Sequence, residues 1–123
     1  MGKKGFKDLA VWQKAKDLAV LIYRASDEDF KDLDFGLRDQ IRRSAVSVAS
    51  NIAEGDERST DKESIRYFCI AKGSVAELRT QLQITHESGR LSKAMYETLE
   101  KEYETLGKRI GRLIQARRNS SRL

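Results

Sequence analysis

An all-α fold, an antiparallel up-down-up-down four-helix bundle, follows from three observations. The 123 residues include no proline, and 35% are charged against 7% aromatic, a balance that favours long helices over sheet. Four segments repeat their apolar residues at spacings of three and four. Two short links and one longer one separate these segments, and short links make consecutive helices antiparallel neighbours. The length suits one domain, residues 1–123, able to bury a modest core unaided.

The first helix is expected at about residues 7–25, where Val11, Trp12, Ala15, Leu18, Ala19, Ile22 and Tyr23 make a broad apolar stripe. Residues 26–36 are acid-rich and lose the periodicity, so they read as a loop with Phe30, Leu33 and Phe35 tucked onto the bundle.

The second helix is expected at about residues 37–54. At about 100° per residue, Leu37, Ile41, Ala45, Val48, Ala49 and Ile52 share its core side. Gln40, Arg43, Ser44, Ser47, Asn51 and Glu54 share the other. A solvated face normally carries long Lys and Glu side chains. Ser and Asn are poor helix formers unless their hydrogen bonds are used, so this stripe reads as a contact with a neighbouring helix or subunit. Gly55 reads as a left-handed cap that ends the helix.

Thr60-Asp61-Lys62-Glu63 has capping-box spacing and starts a third helix, about 61–88, which Gly89 stops. Its core side is expected to hold Ile65, Phe68, Cys69, Ala71, Val75, Ala76, Leu78 and Leu82. The other side carries Gly73, Ser74 and Glu77 among Arg66, Tyr67, Ile70 and Ile84. A glycine inside a helix costs about 1 kcal/mol relative to alanine, which close approach of another helix would offset. Ser92 caps the fourth helix, about 92–116, whose seam is Met95, Leu99, Tyr103, Leu106, Ile110 and Leu113. Glu97 with Lys101 and Glu104 with Lys108 have favourable i,i+4 spacing. Residues 117–123 read as a basic flexible tail.

The formal net charge is +5. Six basic residues and no acid follow Glu104, and three lysines precede the first acid, so residues 8–107 carry about −4. Lys3, Lys4 and Lys7 with Lys108, Arg109, Arg112, Arg117, Arg118 and Arg122 should therefore gather at one bundle end, near Arg58 and Lys62. Such a cluster suits the phosphates of RNA or DNA, with salt-sensitive binding and little base preference. Asp27, Glu28, Asp29, Asp32 and Asp34 mark the opposite end.

Little points to catalysis. His86 is the only histidine and Gln83 stands three before it, so the Glu-x-x-His pairs of di-iron bundles are missing. Cys69 and His86 are too few for a zinc site. Glu54 with Glu57 and Glu97 with Glu100 have the spacing of a magnesium-holding helical phosphohydrolase, but Gly55 interrupts the first pair and lysines flank the second. No glycine loop cradles a phosphate. One cysteine excludes an internal disulfide and agrees with a reducing compartment. Charges interrupt every apolar run, so no membrane span is expected.

Phe6-Lys-Asp-Leu-Ala-Val-Trp12, Gln40-Ile-Arg-Arg43, Ser47-Val-Ala-Ser-Asn-Ile-Ala-Glu-Gly55, Arg66-Tyr-Phe and Ala71-Lys-Gly-Ser74 with Glu77-Leu78 carry a resemblance. Together they resemble the four-helix bundle proteins encoded in bacterial 23S rRNA intervening sequences, over nearly the whole chain. The first link departs from that pattern at Phe30-Lys31-Asp32-Leu33, which lacks the usual proline and glutamate. The resemblance implies a ring, usually of five bundles, with no assigned catalysis. Distantly similar rings accompany reverse transcriptases in diversity-generating retroelements, where they bind nucleic acid and the polymerase. By position, the motif residues are Gln40, Arg43, Ser47, Asn51, Glu54, Gly55, Gly73, Ser74 and Glu77.

The expectation is a non-enzymatic, cytoplasmic homo-oligomer, a pentamer by resemblance, that binds RNA or other nucleic acid through basic bundle ends. It needs no cofactor, metal, membrane or small-molecule substrate. The alternative is an assembly or scaffold protein with a protein partner and no nucleic acid.

Overall fold

The computed structural model describes residues 5–30 and 32–121. Among these residues there are four helices and no strand. They are α1 (Ala10–Glu28), α2 (Phe35–Asp56), α3 (Asp61–Glu87) and α4 (Lys93–Ser121), preceded by a single 3₁₀ turn at Phe6–Asp8. None is long and apolar enough to cross a membrane.

Caps fix most boundaries. The Asp34 carboxylate accepts from Leu37 N–H at 2.9 Å, so α2 begins earlier than its apolar pattern does. Phe35 is consequently the first residue of α2 and is 81% exposed, whereas Phe30 and Leu33 do tuck into the core. Thr60 Oγ1 accepts from Glu63 N–H at 3.2 Å and starts α3. Gly89, at φ +80°, closes α3: Arg90 N–H reaches Thr85 O and Gly89 N–H reaches His86 O, the paired bonds of a Schellman ending. Ser92 Oγ accepts from Met95 N–H at 3.2 Å and starts α4.

Gly55 is not a left-handed cap. It is a buried residue inside α2, which runs on to Asp56. A Cβ there would lie 2.5 Å from Phe68 Cε1 and 3.0 Å from Ser64 O, so its bareness lets α3 cross close to α2.

One core joins all four helices. Ile22, Ile41, Val48, Ile52, Phe68, Leu78, Leu82, Leu99, Tyr103, Leu106 and Ile110 are fully buried, and each such aliphatic side chain contributes roughly 1.5 to 3 kcal/mol. The buried face of α3 is centred differently from expectation. It includes Ser64, Ser74, Gln81 and Thr85, while Ala76 and Cys69 are exposed. The reason is that α3 lies between α2 and α4, with its widest contacts to both, so its buried arc turns toward α2. Against α2, Ser74 meets Ser47 and Glu77 meets Ser44. Against α4, Arg79 meets Glu100, and Ser64 meets Arg117. By contrast α1 packs chiefly on α2 and has the smallest contact with α4, across which Lys14 reaches Glu102 at 2.6 Å.

The segment read as a flexible basic tail is helical through Ser121. The expected i,i+4 pairs on α4 also give way to other partners. Glu104 pairs with Arg79 at 3.6 Å, and Glu97 pairs with Lys93 at 3.8 Å.

Candidate functional site

Small side chains bring α2 and α3 together, and their hydroxyls join the two helices. Ser44 Oγ donates to Glu77 Oε1 at 3.1 Å, and Ser47 Oγ lies 2.9 Å from Ser74 Oγ. Asn51 Nδ2 donates to Ser47 O at 2.9 Å and to Ser47 Oγ at 3.0 Å, so the Ser47 hydroxyl hydrogen is left for Ser74. Of the polar stripe, Ser44 and Ser47 thus make a contact within one chain, and Asn51 braces Ser47 on its own helix. Glu54 stands outside it, paired with Arg58 one turn on. Gly73 is exposed, with nothing within 4 Å of where its Cβ would be, so no helix of the same chain approaches it.

Gln40 and Arg43 are exposed, and their side chains make no hydrogen bond or ion pair to a described residue. They line a cleft of about 340 Å³ with Ser44, Ser47, Glu77 and Gln81. Gln81 is only 8% exposed, and its Oε1 accepts no hydrogen bond.

The basic residues divide. Lys3, Lys4 and Arg122 lie outside the described residues. Lys7 is exposed in the first turn, and Lys108, Arg112 and Arg118 are exposed on α4, with Arg109 half-buried. Arg117 is held differently: its guanidinium donates to Asp56 Oδ1 at 3.2 Å and to Ser64 Oγ at 3.0 Å, and lies over the Phe68 ring. Asp56's side chain is only 1% exposed, which makes this a mostly buried ion pair.

The bundle end that receives Arg117 and the first turn is also not uniformly basic. Asp61 and Glu63 occupy the first turn of α3, where the helix dipole favours acids, and Glu54, Asp56 and Glu57 precede them. Away from that end, Lys72 Nζ reaches across Gly111 and Lys108 stands near it, above a cleft of about 280 Å³ that also touches bare Gly107. Neither lysine, nor Arg112, pairs with a described acid. Lys72 was not singled out by the sequence, because only folding brings it beside Lys108.

A second surface without a sequence signal is an open apolar groove of about 500 Å³ along α1 and α2. Phe6, Trp12, Val20, Tyr23, Val46 and Ala53 line it. Val20, Tyr23 and Val46 are each 42–45% exposed. Trp12 and Tyr23 were assigned to the core stripe, yet they sit on its margin.

No group of three or more His, Cys, Asp or Glu side chains gathers as metal ligands among the described residues. His86 stacks on Tyr96 with ring centroids 4.6 Å apart, and its Nδ1 lies 2.9 Å from Leu91 O, a role in closing the α3–α4 turn.

These features define an all-α protein with four helices among the described residues. The model of the 23S rRNA-intervening sequence protein family matches residues 7–112, and the chain belongs to that family. A solved structure from Bacteroides thetaiotaomicron, described as a protein with unknown function from the S23 ribosomal protein family, is similar at 22% identity. It has a TM-score of 0.79, covering 85% of this chain and 98% of the other. That likeness concerns the fold. No curated protein matches the chain.

Proposed function

We propose that this protein is a non-enzymatic, cytoplasmic, antiparallel up-down-up-down bundle that assembles with copies of itself, as a pentameric ring by resemblance, and binds RNA or other nucleic acid. The observation that carries the reading is the uncovered α1–α2 groove. Val20, Tyr23 and Val46 leave apolar area in water that a second copy would bury. Nucleic-acid binding is supported by Lys72, Lys108 and Arg112, which have no acidic partner among the described residues, and ring assembly would multiply such sites. The exposed strip around Gly73 on α3 offers a further face that a neighbouring copy could approach closely.

Light scattering tests assembly. The native chain is expected to give a mass several times 14.0 kDa, and Val46→Glu to lower it. A monomeric native chain defeats the reading. Filter binding of mixed single-stranded RNA across salt tests the second part. Retention should fall with salt, and replacing Lys72, Lys108 and Arg112 by alanine should reduce the slope of log K against log[salt] by about 0.7 per lost phosphate contact. A second reading, assembly around a protein partner without nucleic acid, is favoured by the acids Asp61 and Glu63 at the mixed bundle end. It predicts no salt-dependent retention at all.

A further inference from the structure

We infer that the α1–α2 groove of one copy receives the exposed strip of α3 from the next copy, centred on Ile70 and Gly73. The inference rests on the assembly reading above and names the surface that fills the groove.

The first observation is where the exposed apolar side chains stand. Among the described residues the large ones are Val20, Tyr23, Phe35, Val46, Ile70 and Ile84. Val20, Tyr23 and Val46 line the groove. Phe35 comes eleven residues before Val46, three turns along the same side of α2. Ile70 and Ile84 lie instead on one side of α3, fourteen residues apart, with bare Gly73 between them. The apolar area left in water therefore forms two separate faces, one on α1 and α2 and one on α3. Single apolar residues scattered over a surface need no explanation, whereas contiguous faces mark contacts.

The second observation is register. Ser44 bonds Glu77 and Ser47 bonds Ser74, so α3 numbering falls by one as α2 numbering rises by one. Gly55 is then level with residue 66, between the Phe68 and Ser64 that a Cβ on it would meet. A rotation that closes a ring carries no shift along its axis, so bundles standing side by side along that axis meet level for level. On that footing Gly73 and Ile70 of one copy arrive between the levels of Val46 and Ala53 of the other, inside the groove. Ile84 arrives within two residues of the level of Phe35.

Charge is the third observation. The groove continues past Ala53 to Glu54 and Glu57. The neighbouring strip holds Arg66 at that level, leaning on the Tyr67 ring and pairing with no described acid. Glu57 likewise makes no ion pair with a described residue. The incoming α3 thus brings its cation to the acidic end of the groove and its apolar stretch to the middle, where Gly73 lets two backbones approach.

A contact between two different faces is heterologous, so each copy offers one groove and one strip. Both faces border α2, the groove directly and the strip through Glu77, which makes them adjacent rather than opposite sides of the bundle. Successive copies therefore turn and close on themselves instead of running on as a filament. Neither face includes α4, which keeps Lys108 and Arg112 outside the contact.

The test is light scattering on the full chain with exposed-surface variants, each checked for native helical content by circular dichroism. Val46→Glu spoils the groove and Ile70→Glu spoils the strip, so each alone is expected at the single-chain mass of 14.0 kDa. Mixed in equal amounts, they are expected to give a species of twice that mass and nothing larger, because one intact groove then meets one intact strip. Gly73→Arg, whose side chain starts in open space within its own chain, should behave as Ile70→Glu does even if the latter loses helix. Strip variants that keep the native mass overturn the inference, as does a mixture with Val46→Glu that yields no two-chain species. In both cases a native mass several times the single chain leaves assembly itself standing. A native chain that is single defeats the assembly reading and the inference together.

Discussion

The ring of Phe68 occupies the space in which a side chain on Gly55 would begin, 2.5 Å from an ideal Cβ. Gly55→Ala must therefore push apart α2 and α3 or displace the ring. Overpacking of this kind costs about 1 to 3 kcal/mol, to be read as a lower urea midpoint at unchanged slope. Gly73→Ala is the opposite case. Its Cβ meets open space, so the chain should gain about 0.5 to 1 kcal/mol from helix propensity alone. A Gly73→Ala protein with a higher unfolding midpoint but a smaller solution mass would locate a subunit contact on α3.

Arg117 and Arg118 are adjacent in sequence and should behave differently. Arg117→Ala leaves the Asp56 carboxylate out of water without its guanidinium, a loss of about 3 kcal/mol. Arg118 is exposed, and its replacement by alanine should stay within about 0.5 kcal/mol. Equal midpoints for the two variants in denaturant would contradict the clasp.

The Tyr103 hydroxyl is buried at the bundle centre with no hydrogen-bond partner. Burial pushes its ionisation well above the ordinary value of about 10. The folded chain therefore holds this proton more tightly than the unfolded chain does. The associated stability is intact below about pH 10 and declines as pH rises beyond it. Tyr103→Phe should remove this alkaline decline and, by deleting an orphaned hydroxyl, leave the neutral-pH Tm unchanged or higher. Denaturation at pH 8 and in the alkaline range, with absorbance of tyrosinate as the titration signal, checks both parts.

Ser47 links helices, whereas Asn51 bonds only to Ser47 on its own helix. Ser47→Ala should cost about 1 to 2 kcal/mol by stranding the Ser74 hydroxyl, while Asn51 keeps its bond to the Ser47 carbonyl, and Asn51→Ala should cost less than that. Neither should change the mass in solution, because these bonds are internal to one chain. A mass change in Ser47→Ala with an unaltered unfolding midpoint would argue the reverse.

Several of these residues show what could be read before folding and what could not. The stripes of Leu18 and Ile22, of Ile41, Val48 and Ile52, and of Leu99, Tyr103 and Ile110 are periodic, so the helices and most of the core were legible. The hydroxyl contact was legible too, because Ser and Asn are out of place on a solvated helix. Gly55 was misread since a cap and a close-packed glycine look alike until Phe68 is known to lie opposite. Cys69 was placed inward because the α3 pattern is diluted by Ser64, Ser74 and Gln81, which are buried against α2. Residues 117–121 lack apolar signal, and their helix is fastened by a tertiary ion pair with Asp56 that local sequence does not encode. Lys72 beside Lys108 is likewise a product of the α3–α4 packing.

The clasped end of α4 has a bearing on how its cationic side chains would encounter an anion. A helix rises about 1.5 Å per residue, so Lys108 and Arg112 are set on a ruler with attachment points about 6 Å apart before any encounter. Disorder-to-order transitions surrender backbone freedom on association, and this segment has already surrendered it. Calorimetry of such an encounter should accordingly show a heat-capacity change no larger than the contacted surface alone requires.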